Sequence, residues 1–252
     1  MRLLPLGRLA GMPADGQASS GYLVETGSAR ILLDAGPGTA VQLSRHLDDG
    51  LDAVFVSHLH TDHVLDVLPI GKMLLRRGER LPLFVPAGAR AVLDRYAALF
   101  PVVTHPDLDR AFDLAFEVIE YRPGEVHHVG AATLRTALLR HAAPNCGIRV
   151  EAGGRSLVYT GDTGVTPALP ELARGADVLL AECTLRETDT SGHGHLSSRD
   201  AAEAARDAGA GALVLTHFAG PDPAEHEWHR RRAAEVFAGP VTIATVDQRE
   251  VL

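Results

Sequence analysis

The chain has 252 residues, a formal net charge of −8 and a single lysine, so it can build a full core but offers no basic tract for nucleic acid. No apolar stretch is long enough for a membrane span, and Pro5, Gly7 and Arg8 interrupt the N-terminal leucines before they reach signal-peptide length. Cys146 and Cys183 are too few for a disulfide framework, so a cytoplasmic location and no membrane partner are expected.

In chain order, short β-branched or leucine-rich runs alternate with longer helical stretches, the pattern of an α/β domain. The predicted strands are Arg2–Leu6, Gly21–Glu25, Ile31–Asp34, Ala53–Ser57, Leu83–Val85, Phe116–Tyr121, Ala132–Leu139, Gly147–Ala152, Ser156–Thr160, Val178–Glu182, Ala212–Thr216 and Val241–Ala244. The predicted helices are Ala40–Asp48, Val64–Arg77, Ala87–Phe100, Val165–Arg174, Ser198–Ala208 and Pro223–Phe237. No linker divides the chain, so we expect one domain over residues 1–252 whose two halves meet near residue 130.

The string HLHTDH at residues 58–63 carries the strongest chemical signal. It lies between the predicted strand Ala53–Ser57 and a predicted helix, and side chains at the carboxyl end of such a strand face an open crevice. His58 and His60, two residues apart, can point to one metal ion, while Asp62 and His63 can turn to a second. Imidazole and carboxylate ligands suit zinc and also accept manganese or iron. A cluster of surface histidines is the alternative, and the strand-loop-helix setting disfavours it.

With this string the chain resembles the metallo-β-lactamase superfamily, and the resemblance covers nearly the whole chain. It implies an α/β fold, an αββα sandwich of two mixed β-sheets flanked by helices. The family also requires a third histidine, a bridging aspartate and a last histidine, and His141, Asp162 and His217 follow predicted strands in that order. The resemblance implies two divalent metal ions, one on His58, His60 and His141, the other on Asp62, His63 and His217, with Asp162 shared.

Three local features indicate a branch of this superfamily. True β-lactamases have a cysteine where this chain has Asp162, and the oxygen-reducing di-iron members have glutamate in place of His60. Glyoxalase- and lactonase-like members surround the third histidine with a T-P-G-H-T string, whereas His141 stands in RHAAPNCGIRV. The chain is therefore similar to the ribonuclease Z and small-phosphodiesterase branch. His127 and His128, upstream in a predicted turn, are interpreted as non-ligands.

The same branch carries an H-E-A-T string and a later H-S-T string, whose histidine assists the leaving group. Here AECTL supplies Glu182 and GHGHLSS supplies His195, with His193 as a nearby competitor. The match is partial, because Ala181 precedes Glu182 and Leu196 follows His195. The resemblance implies that Glu182 steers His195, and that His195 gives a proton to the departing alkoxide.

The resulting hypothesis is hydrolysis of a small phosphodiester, such as a cyclic nucleotide, by a water activated between two metal ions and oriented by Asp62. Such a centre keeps a net positive charge and attracts a small anionic substrate without a basic surface. Transfer RNA is not expected, since the interval from His141 to Asp162 is one hairpin and lacks the arm that grips it. Hydrolysis of a lactone, thioester or other acyl bond stays open, as does a metal-stabilised scaffold without activity. The resemblance also suggests a homodimer.

The string DAGPG, after the third predicted strand, contributes a further expectation. Gly36 and Gly38 are predicted to let the backbone turn close to the site. Asp34 is either a partner of a ligating histidine or a turn-forming residue, and the sequence favours neither.

Overall fold

A computed structural model describes residues 1–99 and 101–251. The described strands are β1 (Arg2–Gly7), β2 (Gly21–Glu25), β3 (Arg30–Leu33), β4 (Ala53–Phe55), β5 (Leu81–Pro86), β6 (Phe116–Tyr121), β7 (Val126–Val129), β8 (Ala132–Leu139), β9 (Asn145–Ala152), β10 (Arg155–Tyr159), β11 (Val178–Glu182), β12 (Ala212–Thr216), β13 (Val241–Ile243) and β14 (Glu250–Val251). The described α-helices are α1 (Thr39–Ser44), α2 (Thr61–Val64), α3 (Val67–Arg77), α4 (Ala89–Ala98), α5 (Ala111–Leu114), α6 (Ala168–Leu172), α7 (Ser198–Ala208) and α8 (Pro223–Ala234). Short 3₁₀ turns span Leu47–Asp49 and Pro106–Arg110.

The strands form two seven-stranded sheets. The first runs β14-β1-β2-β3-β4-β5-β6 and the second β13-β12-β11-β10-β9-β8-β7. In each sheet one half is antiparallel and the other is parallel, with β3 to β6 parallel in the first and β10 to β13 parallel in the second. The chain passes from the first sheet to the second between Tyr121 and Val126, and β14 returns to the first.

Three apolar clusters hold four layers together. The central cluster joins the facing sides of the two sheets, with Tyr22, Phe55 and Ile31 from the first packed against Ile148 and Leu180 from the second. A second cluster covers the outer face of the first sheet with helices α1, α3, α4 and α5. A third covers the outer face of the second sheet with α6, α7 and α8. The predicted αββα sandwich of two mixed sheets is confirmed.

The predicted helix Val64–Arg77 begins later, as α3 at Val67, and the separate short helix α2 (Thr61–Val64) precedes it. The physical reason is Pro69 in the first turn of α3, which has no N–H to give to the carbonyl of Leu65. The hydroxyl of Tyr96 donates to that carbonyl at 2.9 Å instead. The break lets α2 turn as a separate short helix, and α2 carries Asp62 and His63.

Other differences are local. His127 and His128 lie in strand β7, paired with β8, so the predicted turn there is wrong; the segment is too short and too polar to show strand alternation in the sequence. Helix α7 has the predicted bounds, and Ser197 closes a capping box with Asp200 at its start. The predicted helix end at Phe100 lies outside the described residues. No helix of the described chain has the length and apolar character that crossing a bilayer requires.

Candidate metal centre

The seven predicted ligands converge at one edge of the two sheets. Four segments that follow strands carry five of them, and helix α2 carries the other two. His58 and His60 follow β4, His141 follows β8, Asp162 follows β10 and His217 follows β12. The parallel strands β4, β10 and β12 present their carboxyl ends here, the edge at which α/β sheets build their sites.

The first group consists of His58, His60, His141 and Asp162, whose facing ligand atoms all lie within 4.8 Å of one another. Nε2 of His141 lies 3.1 Å from Nδ1 of His60. Oδ2 of Asp162 lies 3.7 Å from Nε2 of His58 and 3.9 Å from Nε2 of His141. Three imidazole nitrogens and one carboxylate oxygen therefore surround one point, a donor set that suits zinc, manganese or iron.

The second group consists of Asp62, His63, His217 and the same Asp162. Here the other carboxylate oxygen is used, since Oδ1 of Asp162 lies 3.2 Å from Nε2 of both His63 and His217. Oδ2 of Asp62 completes the group, 3.2 Å from Nε2 of His217. Asp162 thus turns one oxygen to each group, as a bridging ligand would.

Two buried atoms test whether a metal fits these groups. Nε2 of His58 and Oδ1 of Asp162 are buried and have no hydrogen-bond partner. An unpaired buried polar atom costs about 1–3 kcal/mol, so such atoms are rare without a reason. Both atoms point into the groups described above. A cation bound at each point would satisfy them, and the residues therefore fit a metal in both groups.

The electrostatic environment of Asp162 and its neighbouring histidines also fits a bound cation. Burial alone would raise the pKa of Asp162, but the His217 and His63 rings outweigh it and hold the pKa well below its usual range. Burial lowers the pKa of His63, while Asp162 and Asp34 raise it more strongly and leave it well above the usual range. The carboxylates that would favour a proton on His63 would equally favour a metal cation in its place. For His58, burial and then His63 keep the pKa well below the usual range, so the ring is neutral.

Hydrogen bonds at the far nitrogen fix the orientation of four of the five predicted histidine ligands. The Nδ1 atoms and their partners are His58 with Ser57 Oγ at 3.1 Å, His63 with Asp34 Oδ2 at 2.7 Å, His141 with Gly194 O at 2.9 Å and His217 with Thr184 Oγ1 at 2.8 Å. Each contact leaves Nε2 free to face its group.

Asp34 is a hydrogen-bond partner of the predicted ligand His63 and not only a turn-forming residue. Its carboxylate is fully buried and accepts hydrogen bonds from Ser57 N, Ser57 Oγ and Tyr159 OH as well as contacting His63. Its φ of 58° is in the left-handed region, and His217 shares that conformation with a φ of 56°. Strain of this kind persists where the surroundings fix it, which is typical of functional sites.

The DAGPG loop approaches the site as closely as predicted. A Cβ atom on Gly36 would lie 1.9 Å from the carbonyl oxygen of Asp62, so only glycine lets the loop pack against α2. On the other side Gly11 donates its N–H to Oδ2 of Asp62 at 2.7 Å. Both loops thereby fix where the Asp62 carboxylate points.

Glu182 and His195 form the pair expected from the sequence. Oε1 of Glu182 lies 2.8 Å from Nδ1 of His195, and the His195 ring stacks at 5.8 Å from the ring of His217. Burial lowers the pKa of His195, but the Glu182 carboxylate outweighs it and the net shift is upward. Oε2 of Glu182 accepts a hydrogen bond from Thr184 Oγ1 at 2.8 Å, and that hydroxyl also contacts His217. Sequence reasoning missed Thr184, although it occupies the last position of the H-E-A-T-like string.

An open cavity of about 390 Å³ gives access to these groups. It is lined by Ala10, Gly11, His60, Asp62, Asp162, Thr184, His193, His195, His217 and Ala219. His127 and His128 lie on β7 and belong to neither group, as the sequence interpretation has it. His193 belongs to neither group as well, yet its ring borders the cavity.

Comparisons with known proteins agree with this architecture. Residues 29–218 match the family model described as "Beta-lactamase superfamily domain". The chain is 30% identical to the "Probable metallo-hydrolase YhfI" of Bacillus subtilis over 97% of each chain. It is also 30% identical to a ribonuclease Z of Mycobacterium bovis, over 94% of this chain and 93% of that one. The crystal structure of YhfI from Bacillus subtilis superposes with a TM-score of 0.86 at 27% identity, covering 99% of this chain and 98% of that one.

The family match spans most of the chain, and the two relatives align with this chain over 97% and 93% of their own lengths. Their names describe metal-dependent and nucleolytic hydrolases, and the described residues include two His/Asp groups fit for metal. We conclude that the chain belongs to the β-lactamase superfamily and is a metallo-hydrolase.

Proposed function

We propose that the protein hydrolyses a small phosphodiester, such as a cyclic nucleotide, with two divalent metal ions, preferentially zinc. The observation that carries the proposal is the Glu182–His195 pair, held beside the second metal group with Nδ1 of His195 2.8 Å from the carboxylate. The alkoxide that leaves a cyclic nucleotide is a poor leaving group and needs a proton, as does that of a lactone, whereas the thiolate of a thioester leaves without one. A positioned imidazole therefore supports phosphodiester over thioester hydrolysis, and the net positive charge of the centre supports an anionic phosphodiester over a neutral lactone.

The charge of the site supports an anionic substrate. Asp62 and Asp162 remove half of the charge that two divalent ions bring, so the centre stays cationic. No lysine or arginine borders the described cavity. The attraction for an anion would therefore come from the metal centre, in agreement with the net charge of −8. Bound divalent ions would act as Lewis acids and lower the pKa of a coordinated water.

The protein residues have separate tasks in this reaction. Oδ2 of Asp62 is occupied by Gly11 N, while Oδ1 has no hydrogen-bond partner among the described residues and can accept a hydrogen bond from the attacking water. As the P–O bond to the alkoxide breaks, Nε2 of His195 gives its proton to the departing oxygen. The Glu182 carboxylate keeps the Nδ1–H of His195 in place and stabilises the imidazolium before transfer.

The relatives lend the proposal further support. A ribonuclease acts on a phosphodiester bond, and the ribonuclease Z of Mycobacterium bovis is 30% identical over nearly the full chain. In this chain β8 and β9 are joined by a short turn, and β10 follows directly, so the segment from His141 to Asp162 offers no arm for a folded RNA. A small phosphodiester fits this compact architecture better than transfer RNA.

The test is a paired assay on purified protein of measured metal content. The panel contains 3′,5′-cyclic AMP, 2′,3′-cyclic nucleotides and bis-p-nitrophenyl phosphate, beside a simple lactone and a thioester, with Asp162→Ala as the blank. We expect turnover of phosphodiesters that the variant loses. Turnover of the lactone or thioester alone, with two metals bound, would instead establish acyl hydrolysis.

A further inference from the structure

A tightly held turn carries His193 at the rim of the cavity. The carboxylate of Asp189 accepts hydrogen bonds from Ser191 N at 2.7 Å and Gly194 N at 2.8 Å. Within this turn the N–H of His193 donates to Ser191 Oγ at 3.1 Å, and its carbonyl accepts from Ala142 N at 2.8 Å. The main chain of His193 is therefore fixed on both sides.

Arg140 braces the turn from the adjoining segment. Its guanidinium donates to Ser191 O at 2.6 Å and lies 3.5 Å from Asp189. Gly194 has a φ of +90°, and a Cβ there would lie 2.5 Å from the carbonyl oxygen of Arg140. The segment that precedes His195 consequently has one conformation imposed by its neighbours.

The His193 side chain is exposed. Neither ring nitrogen forms a hydrogen bond with any residue that the structure describes, although the ring lies 4.9 Å from that of His195 and 5.4 Å from that of His141, centroid to centroid. It borders the same cavity as His60 and Asp62. Because the backbone is already fixed and the ring nitrogens are free, His193 can bind a ligand at a small cost in conformational entropy.

The cavity offers few other donors for a substrate. The N–H of Gly11 is used by Asp62, and the hydroxyl of Thr184 by Glu182. His195 is assigned to the leaving oxygen. A phosphodiester has two non-bridging oxygens, and the cavity contains no cationic side chain to meet them. Of the histidine side chains lining this cavity, His60 is a predicted metal ligand, and His193 is the one whose ring nitrogens have no hydrogen bond among the described residues.

We propose that His193 binds the substrate, donating a ring N–H to a non-bridging phosphate oxygen without taking part in bond cleavage. The inference rests on the proposed phosphodiesterase function. A contact made equally in the bound substrate and in the transition state changes KM and leaves kcat unaltered. Loss of one such hydrogen bond corresponds to roughly a tenfold increase in KM.

The experiment compares His193→Ala, His193→Gln and His193→Phe with wild-type protein on bis-p-nitrophenyl phosphate, and measures competitive inhibition by inorganic phosphate. His105→Ala is the matched control, an exposed histidine outside the cavity. We expect KM and the inhibition constant to rise roughly tenfold in the alanine and phenylalanine variants, with kcat within about threefold of wild type. Glutamine, which keeps an N–H donor, should restore most of the loss. Metal content and melting temperature should match wild type.

The outcomes separate the two proposals. Unchanged KM and phosphate inhibition in His193→Ala, with an active wild type, would overturn the role of His193 and leave the proposed function standing. An equal fall of kcat in all three variants, or loss of metal, would assign His193 a structural role and overturn substrate binding. Absence of phosphodiester turnover in wild-type protein would overturn the proposed function and this inference with it.

Discussion

The Nδ1 nitrogen of His195 lies 2.8 Å from Oε1 of Glu182, a carboxylate with no exposed surface. The other oxygen of Glu182 is bound by Thr184, whose hydroxyl reaches His217. One buried carboxylate thus orients both the candidate proton donor and a candidate metal ligand. The parallel pairing of β11 with β12 brings these side chains together, because Glu182 ends one strand and His217 follows the other.

The role of His195 predicts a dependence on the leaving group. In His195→Ala, kcat for 3′,5′-cyclic AMP should fall by roughly 10²–10⁴, because the departing alkoxide receives no proton. With bis-p-nitrophenyl phosphate the loss should be much smaller, since p-nitrophenolate leaves without protonation. Steady-state kinetics on both substrates, with metal content measured in parallel, checks this. Equal losses on the two substrates would contradict the acid role.

Asp34 should control the second metal group. In Asp34→Asn the contact to Nδ1 of His63 loses its charge, and affinity for one of the two ions should fall roughly 10–100-fold. Metal content after dialysis against a weak chelator measures the effect. Asp52→Asn, an exposed aspartate at the opposite end of β4, is the control. Retention of both ions at wild-type affinity would show that Asp34 is only a turn-forming residue.

Thr184 is expected to act through its hydroxyl. Thr184→Val keeps the shape but leaves Nδ1 of His217 without its partner and Oε2 of Glu182 with only the backbone N–H of position 184, which lies at 3.3 Å, at a cost of about 1–3 kcal/mol. We expect roughly tenfold weaker binding of one metal and lower kcat, whereas Thr184→Ser should behave like wild type. Metal titration and kinetics of the two variants decide the point, and equal behaviour of valine and serine would refute it.

A histidine away from the site predicts acid sensitivity of the fold. Burial lowers the pKa of His229 to about 4, with Glu225 opposing the shift. Because the unfolded chain takes up this proton near its ordinary pKa of about 6.5, stability is lost as the pH falls below that value. Between about pH 7.5 and about pH 5 the loss amounts to about 2 kcal/mol.

The variant His229→Gln tests this linkage by urea unfolding at the two pH values. The stability of wild-type protein relative to the variant should fall by about 2 kcal/mol between about pH 7.5 and about pH 5. His105→Gln, at an exposed position, should show no such change. A pH-independent difference for His229→Gln would mean that the pKa of His229 is the same in the folded and the unfolded protein, which contradicts the downward shift.

The sequence was sufficient for the fold class and for the set of candidate ligands. Strands such as β2, β6 and β12 have the predicted bounds because their buried residues alternate or run continuously between clear turn residues. The HLHTDH string is local, so its neighbours along the chain remain neighbours in space. The resemblance to the metallo-β-lactamase superfamily supplied the other three candidate ligands, His141, Asp162 and His217, each of which follows a strand.

Contacts between distant residues could not be derived in the same way. The link from Thr184 to His217 and that from Asp34 to Tyr159 join residues 33 and 125 positions apart. Hydrophobic periodicity does not predict such pairs, because the first depends on the pairing of β11 with β12 and the second on how the two sheets pack. The break before α3 was visible in principle, since Pro69 removes one helical hydrogen bond. The turn that exposes His193 is fixed by Arg140, about fifty residues away in the sequence.

The central claim is that two metal ions on these groups hydrolyse a phosphodiester. The most direct test is a titration of metal-free protein with Zn²⁺ while turnover of a 2′,3′-cyclic nucleotide is followed. Activity should rise to a break at two ions per chain, and Asp162→Ala should show neither the break nor the turnover. Saturation at one ion per chain, or two bound ions without phosphodiester turnover, would contradict the account.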